Sequence, residues 1–445
     1  MLTEEQKRIG RRNFLKALVT LPAVGAFGYA VESKDVHDRP LRVGIIGSGS
    51  EGRVLMEQAP TKYIEFKAIA DIRPDSRDEA LEVIKERKVP KPEIYPDDYH
   101  KMLARDDLEA VFIATPLWMH AQMAVDALNA GKHVLCEKTM AWDVEGCKKM
   151  ARAARDNRRI LQIGHQRRAN PLYASAKKMI EEGLIGEIYY ARTLWHRNGD
   201  WRRDVPDLAE LQKKEPQFDP TRYGYGSLEE LVNWRLYEKY SQGLMAELGS
   251  HQLDVVDWFS DTKAKRIYGA GGLYYWTKDG RNVADHVFVT VEYGPNKLSP
   301  TGTTATFTSL TTNAFDDYYE QFMGTKGTII LAHESEAMLF KEGEDDKATE
   351  VAITQGAGGP VMEATASRLA DIGGGQAQAP GTVTEFDRMA AYRLEIEGFY
   401  RAIKFGLEPP CTADQALASA VVVCKGNESI AKKQAIELGE DVYAI

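Results

Sequence analysis

The sequence predicts two folded units in series: a doubly wound α/β unit built on a parallel sheet, then an α+β unit. Three observations carry this. A short β-branched run, LRVGIIG (41–47), leads into a glycine-rich turn and a helical pattern. Strand-like and helical stretches then alternate with short connections, the signature of a parallel sheet. Beyond about residue 163, strand-like runs follow one another without long helices between them. A chain of 445 residues is long enough for two or three such units.

With 43% hydrophobic and 28% charged residues the composition is that of a soluble globular protein. A formal net charge of −9 and no Lys/Arg cluster argue against nucleic acid, whose binding rests on phosphate neutralisation. Cys136, Cys147, Cys411 and Cys424 are too few and too scattered for a disulfide framework or a zinc site, so they read as small buried hydrophobes and no metal is expected. The stretch RIGRRNFLKALVTLPAVGAFGYA (8–30) has a basic start, a short apolar middle and a small-x-small end, the layout of a secretory signal rather than an anchor. Its paired Arg11 and Arg12 resemble a twin-arginine signal, which directs folded proteins across the membrane and leaves no stable membrane insertion. Gly10 stands where Ser or Thr is usual. The competing reading is an amphipathic N-terminal helix of the mature protein. Signal (1–30) and linker (31–40, ending at Pro40) imply a periplasmic or extracytoplasmic address.

The loop Gly47-Ser48-Gly49-Ser50-Glu51-Gly52 follows a strand and opens a helix, where a dinucleotide-binding (Rossmann) turn needs it. Gly47 permits the tight turn, Gly49 lets backbone approach a pyrophosphate, and Gly52 lets helix pack on strand; the helix N-terminus offers its free N–H groups. The next strand, EFKAIADI (65–72), carries Asp71 nineteen residues after Gly52, placed to accept ribose hydroxyls and repel a 2′-phosphate. That favours NAD, with NADP kept possible by Arg73 and Arg77. Two further strands, AVFIATP and KHVLCEK, bring Thr115, Pro116, His120, Glu137 and Lys138 to the carboxyl ends of the sheet, where ligands of such folds gather.

The run ATPLWMHAQMAVDALNAGKHVLCEKTMAWD resembles the second fingerprint of the Gfo/Idh/MocA oxidoreductases, the glucose–fructose oxidoreductase and inositol dehydrogenase family, and the resemblance extends from about residue 41 to 440. The family's Glu-Lys-Pro reads Glu137-Lys138-Thr139 here, which keeps the lysine but leaves the next turn without proline's fixed φ. The resemblance implies a Rossmann domain over 41–163. Over 164–445 it implies a substrate and oligomerisation domain with an open, mostly antiparallel sheet. It further implies Gln166 and Arg167 near the nicotinamide, and a dimer or tetramer.

In GLMAELGSHQLDVVDWF (243–259), Glu247 and His251 are four apart and share a face on a regular helix. The family usually has Asp and His at this spacing. The pair suits alcohol oxidation: His251 takes the hydroxyl proton, Glu247 holds and polarises the imidazole, and Lys138 stabilises negative charge developing on the oxygen. Asp254, one turn on, is a candidate for a substrate hydroxyl. The stretch 195–240 is dense in Trp, Tyr and Arg, with Trp201, Arg202, Trp234 and Arg235 the candidate substrate contacts, and aromatic faces suit the C–H faces of sugar rings. The Gly/Ala-rich residues 343–384 read as a mobile surface loop.

These features point to an NAD-dependent oxidoreductase acting on a secondary hydroxyl of a small-molecule carbohydrate. A chain exported folded carries its cofactor with it, so the nucleotide is expected to be tightly bound and recycled within each catalytic cycle. Two other readings stand: an NAD-dependent glycosidase working by transient sugar oxidation and elimination, and a non-catalytic carbohydrate-binding protein on the same scaffold.

Overall fold

A computed structural model describes residues 2–20, 39–342, 351–356, 359–364 and 387–445. The end of the expected signal, most of the linker and most of 343–384 lie outside the described residues.

Six strands form the first sheet: β1 (Leu41–Ile46), β2 (Ile64–Ala70), β3 (Glu93–Tyr95), β4 (Ala110–Ile113), β5 (His133–Glu137) and β6 (Leu161–Gly164). They are parallel throughout, in the order β3-β2-β1-β4-β5-β6. Helical crossovers cover both faces of such a sheet, so β4 and β6 are buried at every residue and read as continuous apolar runs. The strand order changes direction between β1 and β4, which opens a crevice above their carboxyl ends.

On one face of this sheet Val43, Ile45, Phe66 and Phe112 pack with Leu55 and Met56 of the helix Ser50–Gln58, and with Ile396, Phe399 and Tyr400. The last three belong to the helix Met389–Phe405. Gln162 Nε2 also donates to the Glu395 carbonyl of that helix at 3.2 Å. The two sheets divide near the expected residue 163, but after the second sheet the chain returns to complete the first core. Local pattern carries no sign of so distant a partner.

The second sheet contains β7 (Ile188–His196), β8 (Ala264–Gly272), β9 (His286–Tyr293), β10 (Thr303–Leu310), β11 (Tyr318–Gly324), β12 (Gly327–Ala332) and β13 (Glu336–Lys341). A hairpin, β14 (Val351–Gly356) with β15 (Gly359–Ala364), follows, and β16 (Ile436–Glu437) completes the sheet in the order β13-β12-β11-β7-β10-β9-β8-β16. The hairpin corrects part of the expected loop at 343–384. Every neighbouring pair in the large sheet is antiparallel except β7 with β10. Along β9 and β10 burial alternates, because only one face is covered by the helices Ser250–Ser260 and Ala413–Lys432. The latter begins at a capping box, Thr412 Oγ1 accepting from the Gln415 backbone while the Gln415 side chain accepts from Thr412 N.

The helix Glu4–Thr20 lies along β13. Phe14 is buried, Arg11 Nη2 donates to Glu336 Oε2 at 2.6 Å, and a Cβ at Gly10 would meet Phe340 Cζ at 2.3 Å. The first part of the expected signal thus carries a packed face, and the glycine at 10 answers a close contact. No helix among the described residues is long and apolar enough to cross a membrane.

Candidate active site

The glycine loop is shaped by three different requirements. Gly47 has φ of 90° and a Cβ there would meet the Ala114 carbonyl oxygen at 2.5 Å. At Gly52 a Cβ would meet the Gly47 carbonyl oxygen at 2.1 Å, so helix and strand can approach this closely only without one. Nothing lies within 4 Å of the Cβ position at Gly49, which faces open space above the loop. Gly49 caps the helix Ser50–Gln58 with no side-chain hydrogen bond, leaving its first N–H groups for a ligand.

Asp71 Oδ2 accepts from the Ser48 backbone N–H at 2.6 Å and from Ser48 Oγ at 3.0 Å, while Oδ1 accepts from Arg73 N at 2.8 Å. It ties the loop to the end of β2 and keeps acceptor capacity toward the cleft, since a carboxylate has about four lone-pair sites. Arg73 is paired with Asp75, and Arg77 with Glu215. Both arginines that left NADP possible are thus engaged by carboxylates, which strengthens the case for NAD.

The loop forms one wall of a cavity of about 330 Å³ that also reaches Thr115, Pro116, Glu137 and Lys138. Thr115 Oγ1, Glu137 Oε1 and Glu51 Oε1 are buried with no hydrogen-bond partner among the described residues. Burial, with Glu51 nearby, pushes the Glu137 carboxyl up to about 8. Orphaned polar atoms around an open glycine loop are what a dinucleotide would satisfy, so these residues fit NAD. His120 is buried, Nδ1 2.9 Å from the Thr139 carbonyl and Nε2 2.9 Å from the Thr115 carbonyl, and braces the two strand ends.

At the other side of the cleft a π turn, Met245–Gly249, precedes the helix Ser250–Ser260. Lys138 Nζ donates to the Glu247 carbonyl at 3.2 Å, and Thr139 Oγ1 donates to the Ala246 carbonyl at 3.0 Å. The threonine that replaces the family's proline therefore anchors its turn with a hydroxyl. The wider π turn breaks the four-residue register between Glu247 and His251. The Glu247 carboxylate accepts from Arg235 Nε at 2.7 Å and from Ser241 Oγ at 3.3 Å. His251 Nδ1 is buried without a partner among the described residues. The expectation that Glu247 holds the imidazole is corrected: it holds Arg235. Although burial opposes it, Arg235 and Lys138 keep the Glu247 carboxyl below the ordinary range. Burial and the charge of Lys138, then Arg167, His165 and Arg197, hold the His251 pKa well below an ordinary imidazole. A depressed pKa favours the neutral form of the ring.

Trp234 and Arg235 line the cavity, with the Arg235 guanidinium 4.5 Å from the Trp234 ring centroid. Trp201 flanks Arg197, which lies 5.2 Å from its ring and 5.0 Å from that of Trp195. Trp195 in turn is 5.6 Å from His251 and stacks on Tyr318 at 4.5 Å. The sequence offered no local signal for Tyr318, which a neighbouring strand delivers. Other candidates are turned elsewhere. Arg202 pairs with Glu229 and Asp279. Asp254 is buried in a two-point bridge to Arg168, both contacts 2.9 Å, and cannot reach a substrate. Gln166 is buried in the short helix Gln166–Ala169. Arg167 is buried between Glu320 and Glu334, so its expected place near the nicotinamide is corrected to a structural ion cluster. Arg167→Met is expected to cost about 3–5 kcal/mol, because it strands two buried carboxylates. Denaturant unfolding checks this; an unchanged midpoint would return Arg167 to the binding site.

Two family models match the chain: one described as an oxidoreductase family with an NAD-binding Rossmann fold over residues 41–165, the other as the C-terminal alpha/beta domain of that family over 177–438. An alpha-N-acetylgalactosaminidase of Shewanella oneidensis is 31% identical over 178 residues, 36% of this chain and 39% of that protein. An inositol 2-dehydrogenase/D-chiro-inositol 3-dehydrogenase of Halalkalibacterium halodurans is 33% identical over 159 residues, 36% of this chain and 44% of that protein. The matches thus span less than half the length of these two relatives. The solved structure of a levoglucosan dehydrogenase in complex with NADH and L-sorbose superposes with a TM-score of 0.66 at 21% identity, covering 90% of this chain and 100% of that one, a likeness of fold.

Proposed function

Because the chain belongs to the Gfo/Idh/MocA oxidoreductase family, with its NAD-binding Rossmann domain, we propose that it oxidises a secondary hydroxyl of a sugar or sugar derivative with tightly held NAD. The observation that carries this is a buried His251 with an Nδ1 unpartnered among the described residues, its pKa held down by burial and by the charge of Lys138, which itself lines the nucleotide cavity. NAD supplies the hydride acceptor. His251 takes the hydroxyl proton, and Lys138 steadies the charge left on that oxygen. Glu247 holds Arg235 beside Trp234, so a ring of aromatic and guanidinium groups orients the substrate.

The sign of the pH dependence follows from His251. A protonated imidazole cannot accept a proton, so activity falls as pH drops through its pKa. Since that pKa is depressed below 6.5, kcat/KM should stay level through pH 7 and fall only in more acid solution. An acid limb at or above 6.5 in a pH–rate profile would remove His251 as the base.

A second reading, glycosidic cleavage by transient oxidation, is supported by the relatives named alpha-N-acetylgalactosaminidase and glycosyl hydrolase family 109 protein. Free sugars and nitrophenyl glycosides decide between the two. Sugar-dependent formation of reduced nucleotide supports oxidoreduction; release of nitrophenol with no net reduction supports cleavage. Neither event in the nucleotide-loaded protein would favour a binding protein. Export by the twin-arginine route is part of the proposal, supported by Arg11 and Arg12 ahead of an apolar run. Cell fractionation with N-terminal sequencing tests it against retention of the helix Glu4–Thr20. A homo-oligomer is proposed from the open sheet face, where Tyr189, Tyr268 and Phe288 are exposed; light scattering tests it.

A further inference from the structure

The segment between β7 and the π turn leaves the second unit and crosses over the first. There Arg77 pairs with Glu215, and Lys214 with Asp78. Trp118 Nε1 donates to Tyr225 Oη at 3.2 Å, and the two rings meet edge to face at 5.6 Å. Trp142 Nε1 donates to the Glu238 carbonyl at 3.1 Å. These contacts seat the segment as a strap over the nucleotide cavity, whose lining includes its Arg203, Tyr225 and Trp234.

Where the strap passes the glycine loop, its backbone is gripped from both sides by the buried Asn233. Arg203 N donates to Asn233 Oδ1 at 2.7 Å, and Asn233 Nδ2 donates to the Arg203 carbonyl at 3.1 Å. The preceding Arg202 is fixed by Glu229. Backbone and neighbour are thus locked while the Arg203 side chain reaches across the cleft, Nη2 donating to Ser50 Oγ at 3.1 Å. Ser50 is the first residue of the helix that follows the loop.

The charges there do not balance. Arg53 has Glu79, Arg73 has Asp75 and Arg235 has Glu247. Arg203 forms no salt bridge of its own among the described residues: Glu247, already paired with Arg235, favours its charge from a distance, while Arg235, Arg73 and Arg53 all lie close enough to oppose it. A guanidinium held in place among like charges and beside free N–H groups is a site short of an anion.

We infer that Arg203 is a pyrophosphate ligand carried by the strap, which closes the dinucleotide's phosphates between itself and the helix N-terminus, so that the nucleotide departs only when the strap lifts. The inference rests on the NAD reading and assigns its retention to one side chain from the second unit. Arg203 would add donors that the glycine loop lacks, in the bidentate geometry that suits phosphate oxygens.

The full-length protein is loaded with NADH and chased with excess NAD, and the loss of bound-NADH fluorescence gives the off-rate. The wild type should keep its nucleotide through a desalting column, with an off-rate that rises with ionic strength. Arg203→Gln should release NADH roughly 10- to 100-fold faster, the range for losing a charged hydrogen bond, and Arg203→Lys should fall between, with the fold of each checked by circular dichroism. An Arg203→Gln off-rate equal to wild type, or a wild type that loses NADH on the column, overturns the inference and leaves the NAD reading standing. A wild-type protein that binds no dinucleotide at all removes both.

Discussion

His251→Ala is expected to lower kcat/KM for a sugar substrate by about 10²–10⁴, the usual contribution of a positioned general base. Nucleotide binding should be retained, because the ring belongs to the helix Ser250–Ser260 of the second unit, 5.6 Å from that of Trp195. The remaining activity should rise with pH, since hydroxide can replace the missing base, and added imidazole should restore part of it. A variant within threefold of wild type would mean that another group takes the proton.

Lys138→Met should cost about 10²–10³ in kcat, the scale for removing one preorganised donor from a developing oxyanion. A second effect separates this from simple misfolding. Lys138 is the largest charge holding the His251 pKa down. Without it that pKa rises toward the ordinary imidazole value, so the acid limb of the residual pH profile should move to higher pH. If activity drops and the limb stays in place, the ammonium is not beside the base. The two losses should not add in the double variant, because both groups act on one oxygen.

The parts of the site legible in the sequence were those whose geometry is local. The glycine loop needs only a strand, a turn and a helix in succession; Gly47 and Gly52 are each required by a contact within the loop or on the neighbouring strand end, while Gly49 faces open space. Lys138 and His251 could be singled out through the family resemblance, since on its own a histidine there reads as a core or capping residue. What could not be read were the choices between partners. The spacing of Glu247 and His251 implies one face, but a π turn inserts itself between them and gives the carboxylate to Arg235. Arg167 and Asp254 have the right chemistry for a binding site, yet each is consumed by ions from other elements: Glu320 and Glu334 in one case, Arg168 in the other. Arg203 reaches the cleft, and Tyr318 the ring of Trp195, through tertiary placement alone. The first sheet was readable from its apolar runs, whereas the helix that completes its core lies more than two hundred residues downstream of its last strand.

That returning helix, Met389–Phe405, governs how the gene can be divided. A fragment ending near residue 165 would retain all six parallel strands and the whole glycine loop, yet would present Phe112, Ile45 and Leu55 to water where Ile396, Phe399 and Tyr400 belong. Such a fragment should aggregate rather than serve as a minimal nucleotide binder. Domain shuffling meets the same obstacle, since a front half borrowed from a relative must bring its own C-terminal helix or accept a mismatched one. The nucleotide-binding and substrate halves therefore have to be exchanged together, because they share a single wall.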